Sequence, residues 1–324
     1  MTTNEEYWIK REQEAIQQAI KEDLEKATEI QRLLLLMTSE IVKEIAAFYA
    51  KYATFEGINL TEAKKIVDEF DVISFQEKAK RYVNNRDFSE KANKELKLYN
   101  TKMKISREQM LKKEIELIIK HNTAIVEKET KDYLTDSVYQ EYERQAGILG
   151  QSAGINKRKV EAIVDMKFAG VKWSDRLWNN SETMQKDVEK IIANIMVRGR
   201  HANEYVSDMK KHLKSVEKCG QVHTERVKAL LLTETARVQA QAMLLKFQEE
   251  DEQSDVDLEY VYIAKLDSRT SKVCRGLDGK TFKVKDAKIG VNFYPMHVRC
   301  RSSAAILPVR KKRKRKYTGG KVTL

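Results

Sequence analysis

Three residues towards the C-terminal end of the chain, Cys274, His297 and Cys300, carry side chains from which a metal centre can be built. His297 and Cys300 are three apart, so both can face one ion. Cys274 lies on what reads as a β-hairpin that can fold back to join them. Thiolate and imidazole donors suit tetrahedral zinc at roughly 2.0–2.3 Å. A fourth donor is not obvious. A cysteine at position 271 would complete a Cys-x-x-Cys pair, but serine stands there, which leaves Asp267, Asp278 or water as candidates. Four readings are open: a structural zinc, a metal-free polar knot, a catalytic metal, and a redox disulfide between Cys274 and Cys300. No glutamate base adjoins the three residues in the manner of a metallohydrolase.

Other chemistries find little support. The chain has no phosphate-binding Gly-x-x-x-x-Gly-Lys-Ser/Thr loop, no Gly-x-Ser-x-Gly elbow and no His-Glu-x-x-His helix. His121, His201, His212 and His223 stand among polar residues and are expected at the surface. Glu234 and Arg237, three apart on an expected helix, read as an ordinary salt bridge. The three cysteines are odd in number and widely spaced, unlike a secreted disulfide framework. The N-terminus lacks a basic segment followed by an apolar one, so no signal peptide is expected. The densest apolar run, Leu33 to Met37, is too short to span a bilayer, and no membrane partner is expected.

Charge is unevenly spread. The net charge is +12, and residues 309–324 hold eight basic and no acidic side chains, which leaves +4 for the rest. The run Arg310, Lys311, Lys312, Arg313, Lys314, Arg315, Lys316 is suited to phosphate contact with double-stranded DNA without base readout.

The elements that must position these groups are mostly helical. Only two prolines occur, Pro295 and Pro308, and a proline-free stretch permits long helices. Apolar residues at three- and four-residue steps predict a helix from Glu5 to about Ala53. Leu33 to Leu36 broaden its apolar stripe, as core or as a docking face. Gly57 breaks it, and Thr61 caps another through about Asp71. Further helical patterns cover Phe88–Asn100, Ser106–Arg144, Met184–Arg198 (stopped at Gly199), Asn203–Leu213 and Thr224–Phe247. Gly147, Gly150 and Gly154 suggest a boundary. After the acidic linker Asp251–Asp257, Leu258–Leu266 reads as a strand. Asp278-Gly279 reads as a hairpin turn and Thr281–Val284 as the return strand. The expected class is α+β: predominantly long α-helices, a small C-terminal β-hairpin with the Cys/His knot, and a basic tail.

Several of these residues, in this order and approximate spacing, resemble the phage minor head (head morphogenesis) proteins with a phage Mu protein F-like domain. The Thr233-Glu234-Thr-Ala-Arg237 stretch is similar to the family's Thr-Glu-x-x-Arg helix. Asp267-Ser-Arg269-Thr270, Cys274, Leu277-Asp-Gly279 and His297-Val-Arg-Cys300-Arg301 continue the likeness. Trp173-Ser-Asp-Arg176-Leu-Trp178 resembles the opening of the family's domain. Tyr7-Trp8-Ile-Lys-Arg11, Phe48–Ala53 and Glu56-Gly57-Ile58 resemble the N-terminal half of Gram-positive phage members. Two departures are visible: Ser271 and Ser302 stand where many members have cysteine.

With the boundary that the glycine cluster gives, residues 1–150 are expected to form an N-terminal helical domain, and the resemblance makes 151–250 the helical part of the F-like domain. Its β-containing Cys/His knot then spans 251–308, and the disordered basic tail 309–324. It also implies a non-enzymatic minor capsid protein that binds the portal protein and meets capsid or scaffold proteins. Such a protein is made in the host cytoplasm and carried inside the virion near the portal, where it influences DNA packaging or ejection. The rival readings are a zinc-knuckle nuclease and a DNA-binding regulator. The regulator would need a base-reading element, and none is evident.

Overall fold

The computed structural model describes residues 3–52, 69–84, 88–96, 106–150, 154–197 and 202–307. The helices are α1 (Thr3–Tyr52), α2 (Glu69–Asn84), α3 (Glu90–Leu96), α4 (Arg107–Leu149), α5 (Lys157–Val164), α6 (Trp173–Val197), α7 (Ala202–Gln253) and the short α8 (Lys272–Leu277). A three-stranded antiparallel sheet is made of β1 (Glu259–Ile263), β2 (Thr281–Lys283) and β3 (Ser303–Ile306), in the order β2-β1-β3. The expected α+β class is what the fold shows. The Thr61 cap, the Gly57 break, the Gly199 stop and the tail lie outside the described residues.

Helix α7 is the axis of the bundle and packs along α1, α4 and α6. Polar pairs give the directions. Arg144 to Glu12, Tyr133 to Asp23 and Lys26 to Glu129 run α4 antiparallel to α1. One apolar cluster joins these helices, with Leu34, Ile41 and Ile45 from α1, Ile118 and Val138 from α4, Val188 from α6 and Leu231 from α7. Val160 and Ile163 of α5 enter the same cluster, so residues on both sides of Gly150 share it. Gly150 itself ends α4 in the left-handed region, φ 69°. At the other end Ser106 caps α4 through a reciprocal pair with Gln109, satisfying two helix-end donors.

The sequence patterns at 203–213 and 224–247 are one helix, not two. Gly220 obscures the continuity, and the packing explains its presence. A Cβ there would lie 2.6 Å from Cγ2 and 3.0 Å from Cβ of Thr38 on α1. Thr38 is itself buried and bonded to Leu34 O. The two helices cross at that point at a separation only glycine allows.

The sheet is covered on both faces. Tyr260 and Tyr262 of β1 face Ala240, Met243 and Phe247 near the end of α7. Val261 and Ile263 face Ile9, Ile16 and Ile20 of α1. This explains why residues 260–264 show no polar alternation: a strand buried on both sides reads as a continuous apolar run. The expected hairpin needs correction. β1 and β2 do pair, Val261 opposite Thr281, but residues 264–280 lie between them and include α8. Asp278-Gly279 follows that helix, with Gly279 at φ 73° donating to Tyr262 O. Ser271 supplies the reason for the helix, since its hydroxyl accepts from Cys274 N as an N-cap.

Substitutions at the α1 interfaces test this packing. Gly220→Ala should destabilise by about 1–2 kcal/mol, the overpacking cost exceeding the ~1 kcal/mol that alanine gains in a helix. Adding Thr38→Ala should recover part of the loss in chemical denaturation; a Gly220→Ala variant as stable as the parent would contradict the close crossing. Separately, burial pushes the carboxyl of Asp23 up to about 7 from 3.8, against a hydrogen bond from Tyr133. The folded-state value is the higher one, so this group's contribution is full below about pH 4 and lost as pH rises through 7. Asp23→Asn should therefore gain stability relative to the parent between pH 4 and 7.5, and a pH-independent difference in melting temperature would exclude it.

Candidate metal centre and the motif that holds it

The three residues singled out first are brought together. Cys274 Sγ lies 3.2 Å from His297 Nε2 and 3.8 Å from Cys300 Sγ, and all three donor atoms fall within 4.8 Å of one another. Cys274 rides on α8, and His297 and Cys300 on the loop into β3. An ion with tetrahedral bonds of ~2.3 Å to sulfur and ~2.0 Å to nitrogen would set S···S at about 3.75 Å and S···N at about 3.5 Å. The observed S···S edge matches this, and the observed S···N edge is shorter by about 0.3 Å. The tautomer fits as well: His297 Nδ1 is 2.9 Å from Val298 O, to which it donates, so the lone pair of Nε2 points at the sulfurs.

The two sulfurs lie within hydrogen-bonding distance of one another, at 3.8 Å. Both are free cysteines. Hydrogen bonding from Cys300, joined by Ser271, Ser302 and Tyr262, holds the Cys274 thiol down at about 4. The same pairing, with burial, pushes Cys300 up. Tyr262 donates to Cys274 Sγ at 3.4 Å, and burial pushes its own hydroxyl upward.

Neither aspartate offered for a fourth ligand serves. Asp267 is gripped by Arg301 through both oxygens, at 2.5 and 2.8 Å, and accepts from Arg269 N. That pairing holds its carboxyl far below the ordinary range. Asp278 Oδ1 accepts from Ala264 N at 2.8 Å. Sequence spacing could not show these commitments, because they come from residues distant along the chain. Thr270 also closes the turn, accepting from Asp267 N and donating to Lys265 O.

The Thr233-Glu234-x-x-Arg237 stretch is not at the surface. Glu234 is 0% and Arg237 2% exposed. Arg237 Nε donates to Glu234 Oε2 at 2.5 Å, and its other nitrogens donate to Ile163 O and Val164 O at 2.8 and 3.0 Å. The last carbonyls of α5 are thereby satisfied by a cation, as helix C-termini favour. Arg176 reaches Glu234 from α6 and bonds Phe168 O. Thr233 connects this system to the loop that carries His297 and Cys300: its hydroxyl donates to Ala229 O and accepts from Arg299 N. Arg299 has φ 57° and bonds Glu225, so α7 fixes the loop at two points.

Sequence reasoning missed two groups. His223, expected outside, is 2% exposed, and burial drives it down to about 4. A Glu12–Arg144–Glu141 triad also went unnoticed. Arg144 bonds both carboxylates at 2.8 Å, and Ser303 of β3 donates to Glu12. Their spacing, 132 residues between Glu12 and Arg144, leaves no local pattern. The basic residues Arg310 to Lys316 lie outside the described residues.

Residues 186–305 match the family model described as Phage Mu protein F like protein. None of the curated proteins and none of the solved structures matches the chain. The matched residues take in the second half of α6, all of α7 and the sheet up to Ala305, with Thr233–Arg237 and the Cys/His group inside them. The Trp173–Trp178 and N-terminal likenesses fall outside. The chain thus carries a phage Mu F-like domain, as in the phage head morphogenesis proteins. Among the described residues, no helix is long and apolar enough to cross a membrane.

Removing one partner from the buried pair leaves a charge unpaired, at about 3–5 kcal/mol. Arg237→Met should therefore destabilise severely, while Glu234→Leu with Arg237→Met should recover much of the loss. Denaturation midpoints decide it: equal losses in the single and double variants would show that the pairing does not matter.

Proposed function

We propose that this protein is a minor head component. It associates with the portal protein, enters the procapsid alongside capsid or scaffold proteins, and contacts packaged double-stranded DNA through its basic C-terminal residues. The observation that carries this reading is the family match over residues 186–305. A non-catalytic role is supported by where the motif's polar side chains are spent. Glu234, Arg237, Asp267 and Arg301 pair with one another or with backbone, and Thr233 holds a loop. We also read Cys274, His297 and Cys300 as ligands of a structural zinc, which would supply cross-linking of α8 to the β3 loop. Such a bond stabilises a small sheet with a modest core of its own.

Purified protein should co-sediment with portal oligomers, and no association at micromolar concentrations would count against the portal role. Deleting residues 309–324 should spare folding and weaken duplex DNA binding at low salt. The slope of log affinity against log salt should flatten by roughly 0.9 for each phosphate no longer neutralised. Unchanged binding by the truncated chain would refute the tail's role. Metal-dependent DNA cleavage abolished by His297→Ala would replace the structural reading with an enzymatic one.

A further inference from the structure

We propose that the ion at Cys274, His297 and Cys300 keeps one coordination position open to a cleft, and that this position takes a nitrogen or oxygen donor from outside the chain. The inference rests on the metal reading above and goes beyond it. The S···S and S···N edges of 3.8 and 3.2 Å outline one face of a tetrahedron, so one vertex is left. Among the described residues, the neighbours able to fill it are otherwise engaged. Asp267 is held by Arg301 and Asp278 by Ala264 N. Tyr262 donates its hydroxyl proton to Cys274. The remaining oxygens are the neutral hydroxyls of Ser271, which caps α8, and Ser302; hydroxyls are not among the usual protein ligands of zinc.

The surroundings give the vertex an approach. Ser271, His297, Cys300 and Ser302 all line a cleft of about 730 Å³ that also borders α1, α4 and α7. Cys274, by contrast, is not among the residues that line the cleft and is backed by Tyr262 on β1. Two ligands and both serines therefore present one side of the group to a space that admits a side chain or a small molecule. Cations (Lys228, Arg269) and carboxylates (Glu22, Glu225) both line the cleft, which favours a neutral donor such as an imidazole over a charged one. Three protein ligands with an accessible fourth place is an arrangement that exchanges ligands, whereas four protein ligands close a zinc site.

The test uses the full chain loaded with Co(II), whose visible bands report coordination, and imidazole as the probe. One cobalt per chain is expected, with thiolate-to-cobalt charge transfer and ligand-field bands that shift saturably as imidazole is added. Ser302→Ala should behave like the parent. Ser302→Cys should bind cobalt with stronger charge transfer and no response to imidazole. Absence of charge transfer in the parent would defeat the metal reading itself. Cobalt bound with full charge transfer but bands unmoved by imidazole would leave that reading standing and overturn the open position. The parent titration decides this even if the cysteine variant fails to fold.

Discussion

A guanidinium withdrawn from water has to meet an acceptor at each of its faces, and Arg237 does so in a way that ties distant segments together. Its partners are Glu234 one turn back on α7 and the final carbonyls of α5, while Glu234 in turn receives Arg176 from α6. Desolvating these charges is costly, and a buried pair is weak evidence for stability as such. Its consequence is positional. With one turn of α7 committed to α5 and α6, Thr233 is left on the side where the β3 loop passes, and it takes the amide of Arg299. The geometry of the Cys/His group is therefore inherited from a buried ion pair on another element.

A second constraint comes from the sheet. Three short strands cannot bury both faces by themselves. The end of α7 covers one face, and the first turns of α1 cover the other. The Glu12–Arg144–Glu141 triad sits at this junction and receives Ser303 from β3. The N-terminal helix is thus part of the environment of the C-terminal sheet, and the cleft beside the Cys/His group has walls from both ends of the chain.

Much of this was legible where the physics is local. Apolar steps of three and four residues marked α1, α4 and α6, Ser106 marked a helix start, and the run from Leu258 marked β1. The cysteine and histidine spacing indicated the cluster, since His297 and Cys300 are close in sequence and Cys274 lies near a pairing strand. What stayed hidden depends on contacts across the fold. The patterns at 203–213 and 224–247 looked like separate helices, and the reason for the glycine between them, Gly220, lies on a helix 182 positions away. The salt bridge of Arg237 with Glu234 was legible, but not its burial, because the carbonyls it also serves belong to α5. β3 escaped notice as a strand because Ser303-Ala-Ala-Ile306 is short and its cover comes from α1. The aspartates looked available until Arg301 and the Ala264 amide claimed them.

The distribution of charge follows from the same pairing. Within the described residues many basic side chains are matched, Lys26 by Glu129, Lys78 by Glu44, Arg144 by two glutamates and Arg301 by Asp267. A cation held by a carboxylate has less to offer a phosphate, and exposed pairs are screened further by salt. The last sixteen residues contain eight cations and no acid to pair with. By composition, the unmatched positive charge is therefore concentrated in residues 309–324, while many cations of the bundle are committed to its own carboxylates. The surplus of positive charge and the contacts that hold the Cys/His group in place thus rest on different residues, so a change in one need not alter the other.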